Sequence, residues 1–349
     1  MNQHLRKIQC FFSFSAFLLS SLIIFNPLYS SQNPIISLCV FIITGYIILF
    51  IITTSYNKIK TFTFHRYPII FLSFIACTLS ALISLILLTG VIKETSFITN
   101  RNVSMIYYAV FTLFVLSSNL YLCSKAKIGI YRLSIVCCVF FFILLIFSLS
   151  TFFSTKGIAK IEIPHDTTKS LLQSAIQGLK AGLYISLDSV IFLFCFDEYL
   201  KNDRCEIYKK TLISSYFACC SFYTCLYAIL VLTFGKTIVA NLDYPQFSLL
   251  KLVYGFDGVE ILSFTLIPAY MIKSSVYIYS ASLSLSSALS LKKSYTNRIV
   301  FIIHCVIVGI IALSFIFSKQ LGDAAFQHTI FSLNAVLCII FIFLTLSKK

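Results

Sequence analysis

The chain has 349 residues, of which 59% are hydrophobic and only 11% are charged, and its mean hydropathy is +0.94. A water-soluble domain of this size must present a polar exterior, so this composition excludes that class and indicates an integral membrane protein. The net charge of +15 does not indicate nucleic-acid binding, because the basic residues lie in short segments between apolar runs, as membrane topology requires.

Ten apolar runs, each about as long as a helix that crosses the hydrocarbon layer, follow one another along the chain. We do not expect the first to be a removable signal peptide, because it is one of ten such runs and lacks a small-residue cleavage site. The sequence therefore predicts an all-α polytopic membrane protein with about ten transmembrane helices in a single domain, 1–349. The predicted spans are 9–26, 35–53, 69–92, 105–123, 133–153, 181–199, 211–234, 260–286, 298–318 and 326–346.

The positions of lysine and arginine orient these helices in the membrane. If the N-terminus is cytoplasmic, the inner segments hold 17 basic residues and the outer segments hold nine. Cytoplasmic loops of membrane proteins carry this kind of excess. We therefore predict that both termini are cytoplasmic, that residues near 204 lie inside, and that residues near 165 and 245 lie outside.

Two outer segments, 154–180 and 235–259, are longer than a plain connection needs. Each contains an apolar stretch that predicts a short helix on the membrane surface. The first of these helices is capped by Asp166 or Thr167, and the second follows Pro245. Each segment is either a connecting lid or a gate.

The midpoint of the chain falls in the first of these segments and leaves five spans on each side. Because five is odd, the second half enters the membrane from the opposite face. This is the geometry of an inverted repeat, in which a binding site lies at the bilayer midplane beside broken helices. We predict a first repeat at about 5–155 and a second at about 175–349.

Two charged residues lie inside predicted spans, Asp188 in the sixth and Lys273 in the eighth. A lone charge at membrane depth costs several kcal/mol, so such residues usually face a cavity or a partner of opposite charge. The two residues are therefore predicted to form an ion pair. The pair either fixes helix packing or binds a ligand such as an amino-acid zwitterion, and the alternative for each residue alone is that it reaches toward the membrane surface.

The first span carries several serines, of which Ser20 and Ser21 precede a turn-rich Asn26-Pro27. Serines in membrane helices usually bond to their own helix or permit close packing, but here they are also candidates for a site. The 13 cysteines and the histidines lack the spacing of metal ligands, and no nucleotide or hydrolase motif is present. We expect no cofactor, no metal and no enzymatic activity.

Several features of the second half occur in a particular order around the sixth and eighth spans. They are Ala175–Gly182 (AIQGLKAG), the basic segment Lys201–Lys210, Phe234-Gly235, Tyr244–Lys251 (YPQFSLLK) and the polar eighth span. In this order the chain resembles the permease-like B subunit of bacterial spore germinant receptors. That family belongs to the amino acid-polyamine-organocation transporter superfamily, whose core is a five-plus-five inverted repeat with broken helices 1 and 6.

The resemblance implies a subunit that senses a nutrient, often an amino acid, in the spore inner membrane. It would act with an A subunit and a lipoprotein C subunit, surrounded by membrane lipid. The resemblance also implies breaks in the first span at Ser20-Ser21-Leu22 and in the sixth at Leu187-Asp188-Ser189. Transferred from the family, the ligand pocket would include Ser20, Ser21, Cys77, Ala81, Asp188, Lys273 and Ser274.

Three hypotheses remain open from the sequence. The favoured one is a germinant-receptor subunit, which binds a ligand and signals. The second is an independent proton- or cation-coupled amino-acid transporter on the same fold. The third is a structural membrane subunit that has lost ligand binding.

Overall fold

The described part of the chain folds almost entirely into α-helices. The computed structural model describes residues 3–24, 33–65, 105–124, 127–155, 168–195, 205–242 and 245–288, with short pieces at 75, 78, 81 and between 302 and 311. No strand occurs within these residues, so the all-α prediction is confirmed for them. The third, ninth and tenth predicted spans lie largely outside the described residues.

The contacts described below involve eight helices, which we number in chain order. They are α1 Gln3–Ile24, α2 Pro34–His65, α3 Met105–Ser124, α4 Lys127–Thr155, α5 Thr168–Cys195, α6 Cys205–Phe234, α7 Lys236–Asn241 and α8 Pro245–Ala288. Gly235 separates α6 from α7 with a φ of 81°. A residue with a side chain rarely adopts that conformation, which explains why a glycine ends the long helix.

Three of these helices contain a stretch that is long and apolar enough to cross a membrane. The stretches are Pro34–Thr54 in α2, Ile128–Thr155 in α4 and Tyr208–Phe234 in α6. They coincide with the second, fifth and seventh predicted spans. Large apolar side chains such as Phe142, Ile146 and Phe153 of α4 are exposed, as expected for a surface that faces lipid tails instead of water.

Two predicted helix boundaries are wrong. The helix predicted on the membrane surface before the sixth span is continuous with that span, so that α5 runs over 28 residues. Likewise, α8 joins the predicted surface helix after Pro245 to the eighth span and runs over 44 residues. No proline interrupts either helix before Pro268 of α8, so the backbone hydrogen bonds continue through both predicted boundaries.

The predicted breaks in the first and sixth spans are also absent. Both α1 and α5 are continuous where the breaks were expected, at 20–22 and 187–189. The hydroxyl of Ser20 donates to the carbonyl of Phe17 at 2.6 Å, and that of Ser189 donates to the carbonyl of Ile185 at 3.0 Å. These serines bond to their own helices, and no glycine or proline is present there to open the backbone.

The largest helix–helix contact in the described residues joins α2 to α5. Near the start of both helices, the hydroxyl oxygen of Ser174 accepts a hydrogen bond from the backbone N–H of Asn33 at 2.8 Å. Further along, Gly182 lies so close to α2 that a Cβ atom there would be 2.8 Å from the Cβ of Thr44. Residue numbers rise together along the contact, so the two helices are parallel.

Helix α6 lies against α2 in the opposite direction. The hydroxyl of Tyr216 donates to the carbonyl of Ile42 at 3.1 Å, and Nζ of Lys209 donates to Oγ1 of Thr54 at 2.7 Å. Tyr216 also fills the space beside Gly45, where a Cβ atom would overlap its hydroxyl oxygen. Residue numbers rise in one helix as they fall in the other, so α2 and α6 are antiparallel.

Helix α1 lies at the centre of the described bundle, in contact with α4, α5, α6 and α8. Its side chains Phe14, Phe17 and Ser20 have no exposed surface. The hydroxyls of Ser15 and Ser215 are 2.6 Å apart and link α1 to α6. Small polar contacts of this kind let membrane helices approach closely, and they hold α1 between the helices that carry the candidate site.

Candidate functional site

A buried ion pair joins α5 to α8. Nζ of Lys273 lies 3.3 Å from Oδ2 of Asp188, and the exposed fractions of the two residues are 1% and 0%. The predicted partnership between the two charges inside the spans is therefore confirmed. Each charge would be costly alone in so buried a place, and each compensates the other.

Tyr277 provides a second interaction for both members of the pair. Its hydroxyl donates a hydrogen bond to Oδ1 of Asp188, and its ring centroid lies 5.7 Å from Nζ of Lys273. Residues four apart lie on the same face of a helix, so Lys273 and Tyr277 both face α5. The carboxylate thus accepts from an ammonium and a hydroxyl, and the ammonium meets a carboxylate and an aromatic ring.

Aromatic rings lie one helical turn beyond the ion pair on both helices. Phe192 follows Asp188 by four residues, and its ring centroid lies 5.7 Å from that of Phe17 in α1. Phe17 also contacts Tyr277 in an edge-to-face arrangement, with centroids 5.4 Å apart. The rings surround that side of the ion pair with hydrocarbon, and a surrounding of low polarity strengthens the attraction between the charges.

On its other side, α8 is attached to α3 through Asn119. The side-chain amide of Asn119 donates to Oγ of Ser274 at 2.7 Å and accepts from Oγ of Ser275 at 2.9 Å. All three residues are buried. The two serines directly follow Lys273, so this contact fixes the backbone from which the lysine side chain extends.

The other predicted site residues have different environments. Ser20 is buried and bonds to its own helix, and its neighbour Phe17 contacts Tyr277. Ala81 is buried without any exposed surface. The side chain of Ser21 and all of Cys77 lie outside the described part of the structure. The structure therefore brings Asp188 and Lys273 together and places Ser274 beside them, with Ser20 on the helix that carries Phe17.

Tyr277 and Asn119 are the two site residues that sequence reasoning missed. The sequence could have identified Asn119, because it is an amide within an apolar span and such residues usually bond to a partner on another helix. The indication for Tyr277 was weaker, namely its position four residues after Lys273 on the same helix face. Tyrosine is common in this chain, with 20 copies, so its presence alone indicated nothing.

A carboxylate and an ammonium held side by side in an apolar bundle can exchange ionic partners with a small zwitterion. The carboxylate would then bind the zwitterion's ammonium, and the ammonium would bind its carboxylate. A few polar groups placed in this way give an apolar site its specificity. Within the described residues, no group of three or more His, Cys, Asp or Glu side chains is arranged to hold a metal ion.

No model of a known protein family matches this chain, and no curated protein matches it either.

Proposed function

We propose that the chain is the membrane subunit of a spore germinant receptor, which binds a small nutrient such as an amino acid and triggers germination together with an A subunit and a lipoprotein C subunit. The observation that carries the proposal is the buried pair of Asp188 and Lys273, 3.3 Å apart between two helices. Charged residues at membrane depth are found at ligand and ion sites far more often than on lipid-facing surfaces. The order of sequence features around the sixth and eighth spans adds the resemblance to this receptor family.

The proposal includes a ten-span architecture with two inverted halves and both termini in the cytoplasm. The directions of the described helices agree with this arrangement. In it, the second, sixth and eighth spans run from outside to inside, and the seventh runs the other way. Parallel α2 and α5 and antiparallel α2 and α6 have these relative directions, and the contacts of Asp188 with Lys273 and of Ile191 with Ser280 make α8 parallel to α5.

The proposed ligand is a zwitterion that enters between the two charges. Its ammonium would take the place of Lys273 beside Asp188, and its carboxylate would meet the displaced ammonium of Lys273. The rings of Phe17, Phe192 and Tyr277 would contact its apolar part. Because α5 and α8 are linked by this ion pair, separating the two charges changes the contact between the helices, which is a physical route from binding to a signal.

Deletion of the gene, followed by germination assays with a panel of nutrients, tests the proposal. The expected result is loss of the response to one nutrient or a small group of amino acids, with restoration by the wild-type gene. A response that is unchanged for every nutrient would contradict the receptor role. If germination is unchanged but uptake of a labelled amino acid is lost, the chain is an independent transporter on the same fold.

A further inference from the structure

The ammonium group of Lys273 has surroundings of the kind that proteins use to bind ammonium ligands. It lies 3.3 Å from a carboxylate oxygen of Asp188 and 5.7 Å from the ring centroid of Tyr277. A carboxylate supplies the opposite charge, and an aromatic ring attracts a cation through its quadrupole. The same two groups would suit an ammonium that is not attached to the chain.

The backbone of Lys273 is held in place independently of its ammonium group. The next two residues, Ser274 and Ser275, bond to the side chain of Asn119 on α3 at 2.7 and 2.9 Å. The lysine side chain itself is a flexible stem of four methylene groups. The ammonium can therefore leave Asp188 while this part of α8 keeps its contact with α3.

Burial makes the occupancy of this place exclusive. Asp188 has no exposed surface and Lys273 has 1%, and the ring of Phe17 packs against those of Phe192 and Tyr277 beside them. A second cation beside Asp188 would have to replace Lys273, because like charges repel strongly at this separation in a buried place of low polarity. An empty place would leave the carboxylate buried without a cation, which is costly.

We propose that Asp188 and Tyr277 form a binding site for a primary ammonium ion, that Lys273 fills this site from within the chain, and that a ligand's ammonium binds there by displacing Lys273. The last of these steps rests on the proposed function, whereas the first two do not. Lys273 thus competes with the ligand for Asp188. A ligand that also carries a carboxylate gives the displaced ammonium of Lys273 a new partner, whereas a simple amine leaves it buried without one. This favours zwitterionic amino acids over simple amines.

The test replaces the ammonium group of Lys273 with the ammonium group of a small molecule added to the solution. Lys273→Ala keeps Cβ and removes the other three carbons and Nζ, which leaves a space shaped like propylammonium. Thermal unfolding of the purified full-length protein in detergent is followed with added propylammonium chloride. We expect the unfolding midpoint to fall in the variant and to rise saturably with propylammonium. Half of the rise should occur at a concentration about tenfold lower than with propanol, which has the same shape without the charge.

The double variant Asp188→Asn/Lys273→Ala is the matched control, because it keeps the space and removes the carboxylate. Equal responses to propylammonium and propanol in Lys273→Ala, or equal responses of the single and double variants to propylammonium, would overturn the ammonium site. If Lys273→Ala does not fold, Lys273→Met fills all of the space except the place of the ammonium group, and ammonium chloride is compared with sodium chloride in the same way. Spores that respond normally without the gene would refute the receptor role but leave these binding results unchanged.

Discussion

Gly178 of α5 lies directly against the backbone carbonyl of Ser37 in α2, so that a Cβ atom at position 178 would overlap the carbonyl oxygen. Gly178 and Gly182 are four residues apart and face the same helix, which is the arrangement that lets membrane helices pack backbone to backbone. Their contact with α2 sets the position of the helix that carries Asp188. The glycines in the AIQGLKAG stretch therefore have a packing role in addition to any role in a family signature.

We predict that Gly178→Ala lowers the free energy of unfolding by about 1–3 kcal/mol, because the added methyl group meets backbone that cannot rotate away. Gly182→Ala should cost less, since its closest contact, 2.8 Å to Cβ of Thr44, is a less severe overlap than that of Gly178 with the Ser37 carbonyl. Leu179→Ala, at a position 46% exposed, is the control. Thermal unfolding in detergent measures all three, and equal stability of the two glycine variants and the control would refute the close packing.

The Asp188–Lys273 pair predicts strong coupling in a double-mutant cycle. Either single neutral substitution, Asp188→Asn or Lys273→Met, leaves a buried charge without its partner and should cost about 3–5 kcal/mol. The double variant should lose clearly less than the sum of the two single losses. Unfolding free energies, or yields of folded protein, give the coupling, and strictly additive losses would mean that the two charges do not interact.

The receptor proposal predicts a change in ligand sensitivity in Lys273→Met. This substitution keeps a long stem and removes the charge, so the carboxylate of a zwitterionic germinant loses its ionic partner. Because the substitution also removes Lys273 as a competitor for Asp188, the zwitterion is compared with the simple amine of the same size. Relative to that amine, the dose-response for the zwitterion should shift to higher concentration by about tenfold to a hundredfold, as expected for the loss of a hydrogen bond to a charged group. The level of the protein and of its partner subunits is measured in parallel. An unchanged ratio of the two dose-responses at normal abundance would exclude Lys273 from the ligand site.

Asn119 should stabilise the bundle through its two hydrogen bonds to α8. Side-chain hydrogen bonds between membrane helices contribute about 0.6 kcal/mol on average and up to about 1.7 kcal/mol. We therefore expect Asn119→Ala to cost roughly twice as much stability as Ser275→Ala, which removes one of the two bonds. Ser117→Ala is the control, because the Ser117 hydroxyl is exposed and bonds to its own helix at Phe114. A loss in Asn119→Ala no larger than in this control would argue against the contact.

The topology predicts that the two ends of the described bundle face opposite sides of the membrane. Lys210, near the start of α6, should be cytoplasmic, and Lys251, near the start of α8, should be outside; both side chains are exposed. Single cysteines at these positions, in a background without the exposed Cys39 and Cys225, can be labelled with a reagent that does not cross membranes. In intact cells, only the cysteine at 251 should react. Labelling of both from the same side would disprove the predicted orientation.

The sequence was sufficient to predict the features that depend on the cost of burial. Long apolar runs require helices in a membrane, and a lone Asp188 and a lone Lys273 at membrane depth require each other, so both the helical fold and the ion pair followed from composition and position. The predicted end of the seventh span at 234 also agrees with the end of α6, where the structure shows Gly235 in a backbone conformation that other residues avoid.

The features that the sequence did not predict depend on packing between distant segments. The predicted outer segment ends at 259 and the predicted eighth span begins at 260, yet α8 continues through Gly255 and Gly258, since glycine weakens a helix without ending it. Tyr277 becomes a partner of Asp188 only because α5 and α8 are parallel and lie at the same level. Neither relationship is visible in local sequence, where a tyrosine among 20 and two glycines carry little specific information.

The fit between Tyr216 and Gly45 limits the order in which substitutions at these positions can accumulate. The hydroxyl of Tyr216 occupies the volume that a side chain at position 45 would need. Alanine at 45 would force the buried ring of Tyr216 to move, so a change to a smaller residue at 216 is favoured to come first, while the reverse order passes through a destabilised intermediate. Among homologous sequences, we expect the two positions to vary together, with a larger residue at 45 found only where the ring at 216 has been lost.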